Sequence, residues 1–214
     1  MGMPKFISQL KSCFQDPLPG LEAQKKMALS HHRYPASWKR EEDAISAAVL
    51  ILLFPRKGEW SFVLTERSNQ VEYHQGQVSL PGGAREKGET LQQTALRETQ
   101  EELGLDTNEV TILGELTPLF IPVSGFLVHP FVGWMDREPK LTPDPTEVES
   151  AHVVSLQQLL DESNIKEETW RLLDEEVRVP FFHLGNLKVW GATARILSEF
   201  REIIKRAGEK VLDP

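Results

Sequence analysis

Between residues 83 and 105 the chain sets Gly83, Glu89, Arg97, Glu98, Glu101, Glu102 and Gly104 at fixed intervals behind Pro81-Gly82-Gly83, and this spacing constrains the fold more than any other feature. A helical residue advances about 100°, so Leu91, Ala95, Thr99 and Leu103 share one stripe, with Glu98 and Glu102 roughly 20° either side of Leu91. Glu101 lies about 60° beyond Glu98, toward solvent. Three carboxylates therefore edge the buried face of one helix. Thr90 and Gln93 form a T-x-x-Q capping box and Gly104 suits a left-handed C-terminal residue, which predicts the helix over 90–103.

Like charges three or four residues apart repel by about a few tenths of a kcal/mol in water, and by more when withdrawn from it. A bound cation reverses that penalty. Hard oxygen ligands suit Mg²⁺ or Mn²⁺, the former sharing its shell with water and substrate phosphates. For a bare E-x-x-E-E the plain alternative is a solvated acidic face.

These acids do not stand alone. They complete G-x5-E-x7-R-E-U-x-E-E-x-G-U, with U apolar, from Gly83 to Leu105; only Thr99 departs, and its methyl can still pack in the stripe. The pattern resembles the Nudix hydrolase signature, and a chance match is on the order of one in a million. Upstream, Leu64-Thr65-Glu66-Arg67-Ser68, Gly76-Gln77-Val78 and Pro81-Gly82-Gly83 resemble the signature of coenzyme A pyrophosphatases within that family. His129-Pro130-Phe131-Val132-Gly133, Glu147-Val148 and Trp190-Gly191-Ala192-Thr193-Ala194 extend the similarity. Two positions depart: Glu72 stands where the pattern has Arg, and Leu80 where it has Phe. A carboxylate at 72 removes a phosphate clamp.

The resemblance implies an α/β/α sandwich with a mixed β-sheet, and metal-dependent hydrolysis of a diphosphate. Carried over residue by residue, Glu98, Glu101, Glu102 and the Gly82 carbonyl are the expected metal ligands. Arg67, His74, Gly82, Gly83 and Arg85 are the expected substrate contacts, while Glu89 and Arg97 support the site. Arg97 falls about 240° from Leu91, off the acid edge, so a salt bridge to Glu89 is a better role for it than substrate contact. The general base stays open between Glu98 or a neighbouring acid of the motif and Glu147, reaching in from a mobile loop. His74 and His129 are weighed between phosphate or adenine contact and a structural place. Trp190 reads as packing rather than base stacking.

The expected substrate is coenzyme A or an acyl-coenzyme A, with ADP-ribose or a dinucleotide as the alternative. A nucleotide-sensing module without turnover is the alternative of another class, against which the intact acids argue. Net charge −8 and pI near 5.3 argue against nucleic-acid binding, cap hydrolysis included, since no Arg/Lys-rich stretch builds a basic channel. Arg67, Arg85 and Lys87 offset the repulsion a polyanionic substrate would meet.

The apolar run 47–54 is too short to cross a bilayer, no signal-peptide core is evident, and one cysteine, Cys13, fits a reducing compartment. A cytoplasmic protein without membrane contact is expected, and homodimerisation stays open. With 214 residues and 40% apolar content the chain can bury one substantial core. The expected organisation is an N-terminal extension, 1–44, packed on one domain, 45–214. Expected elements are a helix over 4–14, strands over 45–54 and 60–67, and a loop with a short strand over 68–80. Beyond the motif helix, β-rich runs 110–123 and 126–135 turn at Ser124-Gly125. A helix over 155–162, strands over 168–172 and 177–188, and a helix over 191–206 follow. Strands interleaved with two long helices place helices on both faces of a mixed sheet.

Overall fold

The computed structural model describes residues 2–30, 39–67, 77–172 and 175–208. In chain order the elements are α1 (Lys5–Cys13), α2 (Gly20–Lys25), β1 (Ile45–Arg56), β2 (Glu59–Arg67), β3 (Val78–Ser79), β4 (Gly82–Ala84) and α3 (Leu91–Leu103). They continue with β5 (Thr111–Glu115), β6 (Leu119–Ile121), β7 (Phe126–Trp134), β8 (Val148–Ser155) and α4 (Leu156–Leu160). The chain closes with β9 (Ile165–Leu172), β10 (Glu175–Leu184), β11 (Leu187–Trp190) and α5 (Gly191–Ala207).

The central strand β1 is apolar on both faces because each face carries its own helix layer. Ala47, Ile51 and Leu53 enter the core shared with α1 and α5, while Ala48, Leu50, Leu52 and Phe54 enter the core under α3. Such a run reads as continuous rather than alternating, as expected of a strand covered on both sides. Truncating Ile51 or Leu52, both fully buried, to Ala would cost about 2–5 kcal/mol. The sheet is mixed: β1 runs parallel to β7, Ile45 facing Phe126 through Leu53 facing Trp134, and antiparallel to β2. The order is β3-β2-β1-β7-β5, with β4 on β1, β6 on β7 and β8 on β2. Strands β9, β10 and β11 make a separate antiparallel sheet.

The mixed sheet between helix layers is the architecture expected. Several boundaries differ. Pro55 does not close β1, which continues to Arg56 and turns into β2 at Lys57-Gly58; φ of 52° and 80° there give the hairpin its twist. The 110–123 run is two strands, β5 and β6, both paired with β7. The run 177–188 is also two, separated at Gly185, whose φ is +66°. Strand β8 and helix α2 were not expected: Val148–Ser155 carries Glu149, Ser150 and His152 among its valines, and α2 has only six residues.

Helices α1 and α2, ahead of β1, pack against the rest of the domain. Phe6, Ile7 and Leu10 of α1 are buried against the α5 side of the sheet, and the Phe6 ring lies 5.9 Å from that of Trp60. Glu199, fully buried on α5, accepts hydrogen bonds from the Gly20 amide (3.0 Å), Gln24 Nε2 (2.9 Å) and Thr117 Oγ1 (2.7 Å), so its carboxylate fastens α2 and the 116–118 segment to α5. Paired in this way, a buried polar group costs little and fixes one packing arrangement.

Candidate active site

Helix α3 begins where the sequence says it should. Thr90 Oγ1 accepts the Gln93 amide and the Gln93 side chain accepts the Thr90 amide, while Gly104 ends the helix at φ +63°. Ala95, Thr99 and Leu103 of the stripe are buried and Leu91 half-buried, and Thr99 loses nothing by its hydroxyl: Oγ1 donates to the Ala95 carbonyl at 2.7 Å, one turn back. Along the stripe's edge the carboxylates are graded. Glu101 is 54% exposed, Glu98 16%, and Glu102 is buried.

Pro81-Gly82-Gly83 is less a turn than the start of β4, which lies antiparallel on β1 with Gly82 facing Val49 and Gly83 facing Ala48. Both glycines are dictated by close approach. A Cβ on Gly82, at φ +148°, would strike the Ala48 carbonyl and the Val49 backbone; one on Gly83 would strike the Glu98 carboxylate. The strand thereby reaches the helix closely enough for the Gly82 amide to donate to Glu102 Oε2 at 3.2 Å.

Arg97 ties the flank together. Its Nε and Nη2 donate to Glu89 at 2.7 and 3.2 Å, Nη2 also to the Ala84 carbonyl at 3.2 Å, and Nη1 contacts Glu98 Oε1 and Glu101 Oε2, each at 2.8 Å. The guanidinium holds the Glu89 carboxyl down to about 2, helped by the Glu86 amide and the Thr94 hydroxyl, and the carboxylates raise Arg97 in return. Burial pushes Glu98 up, with Arg97 offsetting part of the shift. Burial pushes Glu102 up to about 8; the Gly82 amide and Arg67 pull it down, while the charges of Glu98 and Glu147 push it higher.

Glu147 is exposed and lies in a turn whose backbone is hydrogen-bonded to the end of α3. The Thr142 amide donates to the Leu103 carbonyl, the Asp144 amide to that of Glu102, and the amides of Glu147 and Val148 to that of Asp144, at 2.7–3.1 Å. The Thr146 hydroxyl and amide also bond the Asp144 carboxylate and lower its pKa.

Arg67 closes β2 where the register with β8 shifts, and its Nε is buried without a hydrogen-bond partner among the described residues. It lines a cleft of about 740 Å³ together with Gly82. Gly83 and Arg85 do not line it: the exposed Arg85 donates from Nε to the Glu89 carbonyl at 2.6 Å. His129 pairs through Nδ1 with Glu115 Oε1 at 2.7 Å, and Trp190, half-buried on the cleft wall, packs edge-on against Trp170 at 4.9 Å. His74 and Glu72 lie outside the described residues. A second hollow, at Arg56, Glu59, Gln158 and Asp161, is polar and contains none of the motif's acids.

The donor set fits a hard divalent cation: three carboxylates edge one helix, and the most buried of them, Glu102, has other negative charges beside it. As the side chains stand they do not converge. Arg97 holds Glu98 and Glu101 while Glu102 turns to Gly82, and among the described residues no three His, Cys, Asp or Glu side chains gather at ligand spacing. Sequence reasoning passed over Thr94, whose hydroxyl donates to Glu89 Oε2 at 2.9 Å, and the cleft wall at Met27, Ala28 and Leu29, which carries no periodic signal. The other wall, at Trp190 to Thr193, lay within a segment already singled out.

A helix with graded acids, a glycine strand pressed against it and a cleft alongside make up the candidate site. The NUDIX domain family model matches residues 45–175, and the chain belongs to the Nudix family. It is 38% identical over 159 residues to Nudix hydrolase 22, chloroplastic, of Arabidopsis thaliana, covering 71% of this chain and 52% of that one, so it spans about half the length of that relative. It is 34% identical over 165 residues to the peroxisomal coenzyme A diphosphatase ndx-8 of Caenorhabditis elegans, covering 75% of this chain and 68% of that one. The fold is similar to that of RenU, a Nudix hydrolase from M. smegmatis: TM-score 0.54, 18% identity, 80% of this chain and 96% of that one.

Proposed function

We propose that the protein is a divalent-metal-dependent pyrophosphohydrolase that splits coenzyme A or an acyl-coenzyme A into 4′-phosphopantetheine, or its acyl form, and adenosine 3′,5′-bisphosphate. The observation that carries the chemistry is Glu102: a buried carboxylate within the field of Glu98, Glu147 and Arg67, and bonded to the amide of Gly82, which lines the cleft. Such a carboxylate favours a cation beside it. Glu98, Glu101, Glu102 and the Gly82 carbonyl would hold Mg²⁺ or Mn²⁺. When bound, the ion supplies Lewis-acid charge for the diphosphate oxygens and lowers the pKa of water.

The remaining work falls to the chain. The Gly82 amide fixes the Glu102 carboxylate, and Arg97 fixes Glu98 and Glu101 by one oxygen each. The second oxygen of each carboxylate would be the one to bind an ion, once the three side chains turn toward one another. Arg67 supplies positive charge for the diphosphate from the cleft side, and Glu89 and Thr94 hold Arg97 in place. The proton of the attacking water passes to Glu147 or to Glu98; the pinned 142–147 turn favours Glu147, because it presents a carboxylate close to the acids without tying it to Arg97.

The coenzyme A assignment is supported by the upstream signature around Arg67 and Gly82 and by the similarity to a coenzyme A diphosphatase. The test is product identification by mass after incubation with coenzyme A, acyl-coenzymes A, ADP-ribose and dinucleotides, with Mg²⁺ or Mn²⁺. Masses of 4′-phosphopantetheine and adenosine 3′,5′-bisphosphate are expected. Cleavage confined to ADP-ribose or dinucleotides would sink the coenzyme A reading and leave the hydrolase.

A further inference from the structure

The cleft beside the acids is built from two segments that lie outside the family-matched residues 45–175: Met27 to Leu29 before them, and Trp190 to Ile196 after them. Between these walls its floor carries Val49, Leu80, Phe120, Phe126 and Val128, so most of its surface is apolar. Among the described residues its charged lining is of one sign. Arg67, Arg171 and Arg195 face it, and no carboxylate lines it among the described residues, although the chain carries a net charge of −8.

The N-terminal wall is anchored. The Ser198 hydroxyl donates to the Ala23 carbonyl at 2.7 Å, holding α2 to α5. At its far end Ser30 is bonded twice to Arg178 of β10: its amide donates to the Arg178 carbonyl at 3.2 Å, and its Oγ accepts the Arg178 amide at 2.9 Å. Opposite, the Thr193 hydroxyl donates to the Val78 carbonyl at 3.3 Å, holding the first turn of α5 to the strand that leads toward Gly82.

An apolar cleft with basic charges suits an amphipathic anion, and its volume of about 740 Å³ lies within the usual range for small-molecule sites of about 300–1,000 Å³. A purine alone would leave such apolar walls largely uncovered. From these walls we infer that residues 27–29 and the first turn of α5 form a specificity pocket for the apolar, thioester-bearing arm of the substrate, and so set its preferred acyl length. This rests on the coenzyme A reading above and adds which residues select among its substrates. Each methylene that leaves water for the cleft adds binding at about 0.8 kcal/mol, close to fourfold, until the cleft is full.

The experiment measures kcat/KM of the full chain for coenzyme A, acetyl-, octanoyl- and palmitoyl-coenzyme A with Mg²⁺. It repeats the series with Ala28→Trp and Ala192→Trp, half-exposed positions in the two lining segments, each checked for fold by circular dichroism. Octanoyl-coenzyme A should exceed coenzyme A by about tenfold or more, and either Trp should cut that ratio about tenfold. Binding of octanoyl-coenzyme A in EDTA, followed by calorimetry, should weaken in parallel. Equal kcat/KM for all acyl lengths, or an unaltered ratio in both folded variants, overturns the pocket while leaving the coenzyme A reading intact. Turnover of ADP-ribose with none of any coenzyme A compound overturns both.

Discussion

Glu102 Oε2 accepts the Gly82 amide at 3.2 Å, so the most buried acid of α3 is also the point at which helix and glycine strand are joined. A glutamine there keeps an acceptor for the amide but removes a charge whose burial is unfavourable, the carboxyl standing at about 8. In Glu102→Gln the melting temperature at pH 8 without divalent metal should hold or rise, while turnover should fall by about tenfold or more. Calorimetry and a phosphate-release assay on one preparation check both. A lower melting temperature would show that the carboxylate stabilises the fold.

The two glycines of β4 separate backbone from side-chain crowding. Gly82→Ala drives a Cβ into the β1 backbone at a φ that L-residues rarely adopt, whereas Gly83→Ala meets first the far end of the Glu98 side chain. Urea denaturation should show Gly82→Ala to be the more damaging, by about 1–3 kcal/mol beyond Gly83→Ala. Gly83→Ala should instead keep most of its stability and lose activity, because the carboxylate it displaces is Glu98.

That pairing of glycine with acid was legible as a motif, and the helix could be derived from spacing alone, cap included. The grading of the three acids by exposure also follows from their angles about the helix axis. What the sequence hid has physical causes. Strand β8 alternates weakly because His152 and Ser150 contact Glu66 on the neighbouring strand, so polar groups sit where an apolar face would signal. Met27, Ala28 and Leu29 form a wall through hydrogen bonds made by Ser30 and Ser198, which no local pattern announces. Arg97 shows the opposite case: its angle off the acid edge was enough to pair it with Glu89, yet not to show its holds on Ala84, Glu98 and Glu101.

Glu89 sets an acid limit on this flank. Its folded-state pKa, about 2, lies below the ordinary 4.5, so the ionised form is favoured by folding. The stability it contributes is present above about pH 4.5 and is lost as pH falls toward 2. Glu89→Gln should therefore unfold at lower denaturant than the wild type at pH 7, with the gap closing across that window. Denaturation midpoints at pH 7, 5, 4 and 3 test it. A gap that persists undiminished at pH 3 would assign the loss to packing rather than to the Arg97 ion pair.

Metal removal separates the carboxylates' two roles. A cation that binds only the folded chain raises stability by RT ln(1 + [L]/Kd), about 2.7 kcal/mol at a hundred times Kd. Mg²⁺ added to EDTA-treated protein should raise the melting temperature and restore turnover. In Glu98→Gln both responses should shrink together, since Glu98 stands beside Glu102 with one oxygen not held by Arg97. Glu147→Gln should keep the thermal response and lose turnover if its carboxylate takes the proton. An unaltered rate in Glu147→Gln with a lost rate in Glu98→Gln would move that step to the helix, where the same carboxylate would then serve both the ion and the water.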